Sequence, residues 1–120
     1  MGAPEQAIEY YEQAIKIDDD ISDVFYNLAN AQYLVNRIDG AIENYKQALD
    51  LNPKKVEAYY NLGNSYCNKN EYEEAIQYYV KAIALDPMHD PALYNLGYAY
   101  HRVGNLEQAI KSYRAGIQLN

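Results

Sequence analysis

Phe25-Tyr26-Asn27-Leu28-Ala29, Tyr59-Tyr60-Asn61-Leu62-Gly63 and Leu93-Tyr94-Asn95-Leu96-Gly97 are three writings of one motif, each 34 residues after the last. At equal distances downstream come Ala-Ile, then Tyr, then a small residue. These are Ala41-Ile42, Tyr45 and Ala48, then Ala75-Ile76, Tyr79 and Ala82, then Ala109-Ile110, Tyr113 and Gly116. Self-similarity at a fixed period of this length marks one short unit copied and stacked, each copy burying its apolar face against the next.

Within residues 56–89, Tyr59, Leu62, Gly63 and Tyr66 fall at i, i+3, i+4 and i+7, one face of an α-helix, called A. Ala75, Ile76, Tyr79, Ala82 and Ile83 fall at i, i+1, i+4, i+7 and i+8, a second helical face, called B, with Pro87 shortly after its end. Asn36, Asn70 and Gly104 stand at equivalent places between A and B, and these residue types tolerate a left-handed backbone just past a helix end. Two antiparallel helices per unit follow. Small residues on A (Ala29, Gly63, Gly97) and on B (Ala41, Ala75, Ala109) are expected to let the two backbones approach closely.

Before the first full unit, Ala7-Ile8, Tyr11, Ala14 and Ile15 repeat the B pattern in phase, with Pro4 in the first turn, where its missing N–H costs nothing. Met1 to Ala3 read as a loose start. Asp18-Asp19-Asp20 place carboxylates at the unfavourable end of that helix dipole, so the end is expected to fray. The expected architecture is all-α with seven helices: an orphan B helix at 4–21, then repeats at 22–55, 56–89 and 90–120, in a single domain over 1–120. The first helix lacks an A partner, and the last, carrying Ile110, Tyr113 and Ile117, lacks a polar helix to cover it. The chain therefore reads as a piece of a longer array, or as one that self-associates through its terminal helices.

The 34-residue period, the Tyr-Asn-Leu-Gly segment, the Ala pair on B and the closing Pro resemble the tetratricopeptide repeat family. Its pattern is met by Tyr59, Leu62, Gly63, Tyr66, Ala75, Tyr79 and Pro87. Departures are Gln32 for Tyr, Ala29 for Gly and Leu93 for the aromatic. The resemblance implies a right-handed superhelical solenoid whose concave face is lined by the A helices.

On those helices the outward positions beside the Leu hold Asn27 and Asn30, then Asn61, Asn64 and Asn68, then Asn95 and Tyr98. An Asn side chain offers a donor and an acceptor, so it can pair with the backbone of an extended peptide without reading its side chains. Packed helices lie about 8–10 Å apart and an extended chain rises about 3.3 Å per residue, so one Asn meets roughly every third peptide residue. A similar ladder lines the superhelix of the glycosyltransferase that attaches N-acetylglucosamine to proteins. The competing reading is that Asn27, Asn61 and Asn95 bond within the solenoid, between neighbouring repeats. His101 and Arg102 supply positive charge near the third repeat's groove for an acidic ligand contact. The carboxylate clamp that some family members use on chaperone tails is only half present: Asn30 and Asn61 match it, but Tyr26, Pro91 and Asn95 replace its cations.

Seventeen acidic against ten basic residues give a net charge of -7, which repels nucleic-acid backbones and anionic membranes over most of the surface. No apolar run is long enough to span a membrane and no secretion signal is present, so a cytoplasmic location is expected. The lone Cys67 fits a reducing compartment. Most of the fifteen Tyr recur at equivalent repeat positions, including Tyr26, Tyr60 and Tyr94, as core packing requires. His89 and His101 read as surface residues, Asp86-Pro87 and Asp90-Pro91 as helix stop and start, and Cys67 as unreactive for want of a basic neighbour. No catalytic constellation, cofactor or metal site emerges. The expected function is a non-catalytic scaffold holding a protein or peptide ligand, as an extended peptide or partner helix, in the groove. The alternatives are a self-associating structural fragment and the substrate-recruiting arm of a larger enzyme.

Overall fold

The protein is seen in a computed structural model that describes residues 3–17 and 21–119. Among these the regular elements are seven helices: α1 (Ala3–Ile17), α2 (Ser22–Leu34), α3 (Ile38–Leu51), α4 (Val56–Asn68), α5 (Tyr72–Leu85), α6 (Asp90–Arg102) and α7 (Leu106–Leu119). Ala3 opens α1 rather than belonging to a loose start, and Pro4 lies in its first turn as expected. Met1, Gly2 and the Asp18-Asp19-Asp20 run lie outside the described residues.

The turns form as their residues predict. Asn36, Asn70 and Gly104 have φ of 64°, 61° and 84°, the left-handed region. The residue after each returns its N–H across the helix end: Arg37 to the Gln32 carbonyl (2.8 Å), Glu71 to Tyr66 (2.9 Å) and Asn105 to Tyr100 (2.9 Å). This six-residue closure satisfies carbonyls that the helix leaves orphaned. After the B helices, Asn52 and Asp86 each accept from the N–H two residues on, Lys54 and Met88, across Pro53 and Pro87.

Helices α2 and α3, α4 and α5, and α6 and α7 pair within repeats, and each A helix also packs on the B helix before it. Along the stack α2 touches α4 and α4 touches α6, whereas α3 and α5 do not meet. The A helices therefore form the inner face of an elongated solenoid, 47 × 26 × 24 Å, and the B helices splay on the outer face. No described helix is long and apolar enough to cross a membrane.

The small residues work differently from the expected backbone contact. A Cβ built on Gly63 would lie 2.6 Å from Cε1 of Tyr79, and one on Gly97 would lie 2.8 Å from Cδ1 of Tyr113. The space serves an aromatic ring from helix B. Tyr45 and Tyr79 are each 1% exposed, and burial pushes their hydroxyl pKa values far above the ordinary tyrosine range. Gln32 has its own compensation. Where Tyr66 stacks on Tyr78 in repeat 2 (5.5 Å between centroids), Gln32 Oε1 accepts from Asn44 Nδ2 at 2.8 Å, and Gly40 leaves it room.

Candidate peptide-binding groove

Each A helix is tied to the next by the same set of contacts. Asn61 Nδ2 donates to Tyr26 Oη (3.1 Å) and Asn30 Oδ1 (3.3 Å), and one repeat later Asn95 Nδ2 donates to Tyr60 Oη (3.1 Å) and Asn64 Oδ1 (3.0 Å). Asn30 and Asn64 also accept from the buried hydroxyls of Tyr45 and Tyr79. The motif Asn is therefore a strut between repeats in both copies that have a repeat before them, as the competing reading anticipates.

A second tie lies beside it. Lys55 Nζ sits 2.7 Å from Asp23 Oδ1 and 4.5 Å from the centroid of the Tyr26 ring. The equivalent His89 sits 2.8 Å from Glu57 Oε1, with its ring 4.8 Å from that of Tyr60. The His89 Nδ1 accepts the Ala92 N–H at 3.1 Å, capping α6, so its Nε2 carries the proton and donates to Glu57. His89 is only 10% exposed, which corrects its reading as a surface residue. Local sequence shows the cap position, but the Glu57 partner is 32 residues away.

The residues expected to face a ligand divide into three groups. Asn27 is exposed, and its side chain makes no hydrogen bond among the described residues. Asn30, Asn61, Asn64 and Asn95 belong to the struts, yet the Oδ1 atoms of Asn61 and Asn95 accept no bond among the described residues. Asn68 Nδ2 donates to Tyr33 Oη (2.5 Å) and to the Asn64 carbonyl (3.2 Å). At the far end Arg102 Nη1 donates to Tyr98 Oη at 3.2 Å, and its guanidinium lies 4.9 Å from the Tyr72 centroid, so this cation rests on aromatic faces. His101 is exposed.

Two depressions open on this face at repeat-equivalent places. One, of about 270 Å³, is lined by Asn30, Tyr33, Leu34, Tyr45 and Asn61. The other, of about 330 Å³, has Asn64, Cys67, Asn68, Tyr79 and Asn95 at the equivalent places, with Tyr33 and Tyr98 at its edges. The structure thus brings Asn30, Asn61, Asn64, Asn68, Asn95 and Tyr98 together around two hollows and leaves Asn27, His101 and Arg102 outside both. Sequence reading missed Tyr33 and Leu34. The available signal was an apolar Leu34, 74% exposed, where the next repeats carry Asn68 and Arg102. Cys67 is half-buried beside the Tyr79 hydroxyl, and burial pushes its thiol pKa up, away from nucleophilic chemistry. No group of three or more His, Cys, Asp or Glu among the described residues could hold a metal ion.

Paired helices repeating every 34 residues, with a grooved inner face, define a helical-repeat protein-interaction scaffold. The chain belongs to the tetratricopeptide repeat family. One family model, described as TPR repeat, matches residues 35–69 and 63–104, and models described as tetratricopeptide repeat match 91–120 and 1–21. Among solved structures, a crystal structure of MamA is 29% identical with a TM-score of 0.96, covering 98% of this chain and 69% of that one. A second MamA crystal structure is also 29% identical, with a TM-score of 0.94, covering 98% of this chain and 64% of that one. MamA 41-end from Desulfovibrio magneticus RS-1, at 24% identity and TM-score 0.93, shares the fold, covering 99% and 67%. The chain thus spans about two thirds of the length of these structures. No curated protein sequence matches it significantly.

Proposed function

We propose that the chain is a non-catalytic, cytoplasmic scaffold, one domain over residues 1–120, that binds an extended peptide of a partner protein along α2, α4 and α6. The observation that carries this reading is the pair of repeat-equivalent hollows, each with a motif Asn whose amide is committed to the solenoid and whose Oδ1 accepts no internal bond. Such an oxygen accepts a peptide N–H, and the hollows take side chains. At about 0.5–1.5 kcal/mol net per hydrogen bond, a few such contacts less the ordering cost support micromolar or weaker affinity. The net charge of -7 supports a protein ligand over nucleic acid or an anionic membrane.

The test is selection of peptides from a random displayed library, followed by ¹⁵N NMR titration of a selected peptide. Saturable 1:1 shifts along α2, α4 and α6, lost in Leu34→Asp, are expected. Selection of no peptide, or shifts confined to other faces, contradicts the reading.

Self-association is a second reading, favoured by one observation. Ile110 and Ile117 on α7 are 50% and 61% exposed, whereas their equivalents on α3, Ile42 and Leu49, are 7% and 8% exposed beside α4. An A-type helix, from a second copy or another repeat, fits this face. Sedimentation that remains monomeric over a wide concentration range removes the second copy.

A further inference from the structure

The outer face carries a trough between the splayed helices α3 and α5, about 440 Å³ and larger than either groove hollow. Leu49 and Leu62, both buried, line it at depth, Tyr59 and Tyr78 wall it, and Lys46 and Lys81 stand beside it. Lys46 Nζ lies 5.5 Å from the Tyr66 centroid, and Lys81 Nζ lies 5.3 Å and 6.0 Å from those of Tyr78 and Tyr59. Tyr66 and Tyr78 are stacked with rings 2° from parallel. The two ammonium groups are thus held on one aromatic platform.

The chain supplies its own control, because the same place one repeat later carries a different set. Val80, Ile83, Leu93, Leu96, Ser112 and Ala115 replace Lys46, Leu49, Tyr59, Leu62, Tyr78 and Lys81. The floor is kept and both cations and both rings are gone. A trough arising from repeat geometry alone would not differ in this way. On a chain of net charge -7, Lys55, Lys69 and Lys111 are each paired with carboxylates, while Lys46 and Lys81 have no carboxylate within ion-pair distance among the described residues. Asp50 lies at the rim and Glu43 acts on Lys46 from the same helix, neither within ion-pair distance of the ammonium groups. Ammonium groups resting on aromatic rings keep their charge and can still take an anion on the open side. Two lysines are too few to hold a membrane surface or a nucleic acid against the repulsion of the remaining acidic surface.

We propose that this outer trough binds an acidic segment of a partner protein, with carboxylates on Lys46 and Lys81 and an apolar side chain between Tyr59 and Tyr78 over Leu62. This site is independent of the inner groove, and it lets the scaffold hold two polypeptides on opposite faces.

The probe is a capped Asp-Phe-Asp-Leu tetrapeptide titrated into the ¹⁵N-labelled full chain, with Asn-Phe-Asn-Leu as its neutral counterpart. The amides of α3, of the turn at 52–55 and of α5 are expected to shift and saturate. Binding should weaken about tenfold in Lys46→Gln/Lys81→Gln, and also on raising salt to about 0.5 M, with the melting temperature nearly unchanged. Leu34→Asp in the inner groove should leave the affinity as it was. Equal binding of the neutral peptide, indifference to the double substitution, or shifts on α2 and α6 instead of α3 and α5 would each overturn the proposal. Lysine substitutions that unfold the chain would also contradict it, since both lysines are exposed.

Discussion

The junction of repeats 1 and 2 and the junction of repeats 2 and 3 are built on one plan and present different chemistry. Both use an Asn strut to a Tyr and an Asn of the preceding helix, and both place a basic residue between an acid and that same Tyr. Yet the basic residue is Lys55 at one and His89 at the other. The inner hollow exposes Tyr33 and Leu34 at one and Cys67 and Asn68 at the other. The outer trough holds two lysines on tyrosines at one, where the other has Val80 and Ala115. In a stacked array, what recurs maintains the stack, and what changes between equivalent junctions is free to specify a ligand.

The largest effect should come from filling the shared frame. Gly63→Leu drives a side chain into the Tyr79 ring, and a loss of about 3 kcal/mol is expected in urea unfolding. Gly63→Ala should cost much less, because Ala29 already occupies the equivalent place beside Tyr45. A Leu variant as stable as the parent would remove the ring contact from the account.

Raising pH should loosen both junctions together. Tyr45 and Tyr79 have folded-state pKa values raised above the ordinary tyrosine value of about 10, first by burial, so the folded chain keeps protons that the unfolded chain releases. Their contribution is complete below about pH 10 and falls as pH rises beyond it, by up to about 1.4 kcal/mol per unit for each tyrosine. Unfolding free energy measured from pH 9 to 11 should bend downward near 10. Tyr79→Phe should reduce the slope, and an unchanged slope would place the titration elsewhere.

The two basic residues sharpen the contrast between junctions. His89→Ala removes a helix cap as well as the Glu57 contact, and about 1–2 kcal/mol of destabilisation is expected. Lys55→Ala removes a pair whose acid is well exposed and should cost less than about 1 kcal/mol. Equal losses would mean that the cap is not stabilising.

The helices and turns were legible because their signals are local: 3.6-residue periodicity, and Asn36, Asn70 and Gly104 at positions where positive φ is needed. The candidate site was legible only in outline. The period aligns Asn27, Asn61 and Asn95, but whether an Asn amide faces a ligand or the preceding helix depends on what stands 31 and 35 residues earlier in the stacked structure. Asn27 has no described A helix before it, so the same motif residue is free there and committed in the later repeats. Burial of His89 and the outer trough share this origin, since each joins side chains about one repeat apart, whereas the Tyr rings over the glycines join the two helices of a single repeat.

The most direct test of the central claim compares one motif position across its three copies by equilibrium unfolding of Asn27→Ala, Asn61→Ala and Asn95→Ala. Asn61→Ala and Asn95→Ala are expected to lose about 1–3 kcal/mol each, because Tyr26, Asn30, Tyr60 and Asn64 lose their shared donors. Asn27→Ala should change stability by less than about 0.5 kcal/mol. Equal effects at all three positions would contradict the assignment of this Asn as a strut between repeats that leaves only its carbonyl oxygen to the groove.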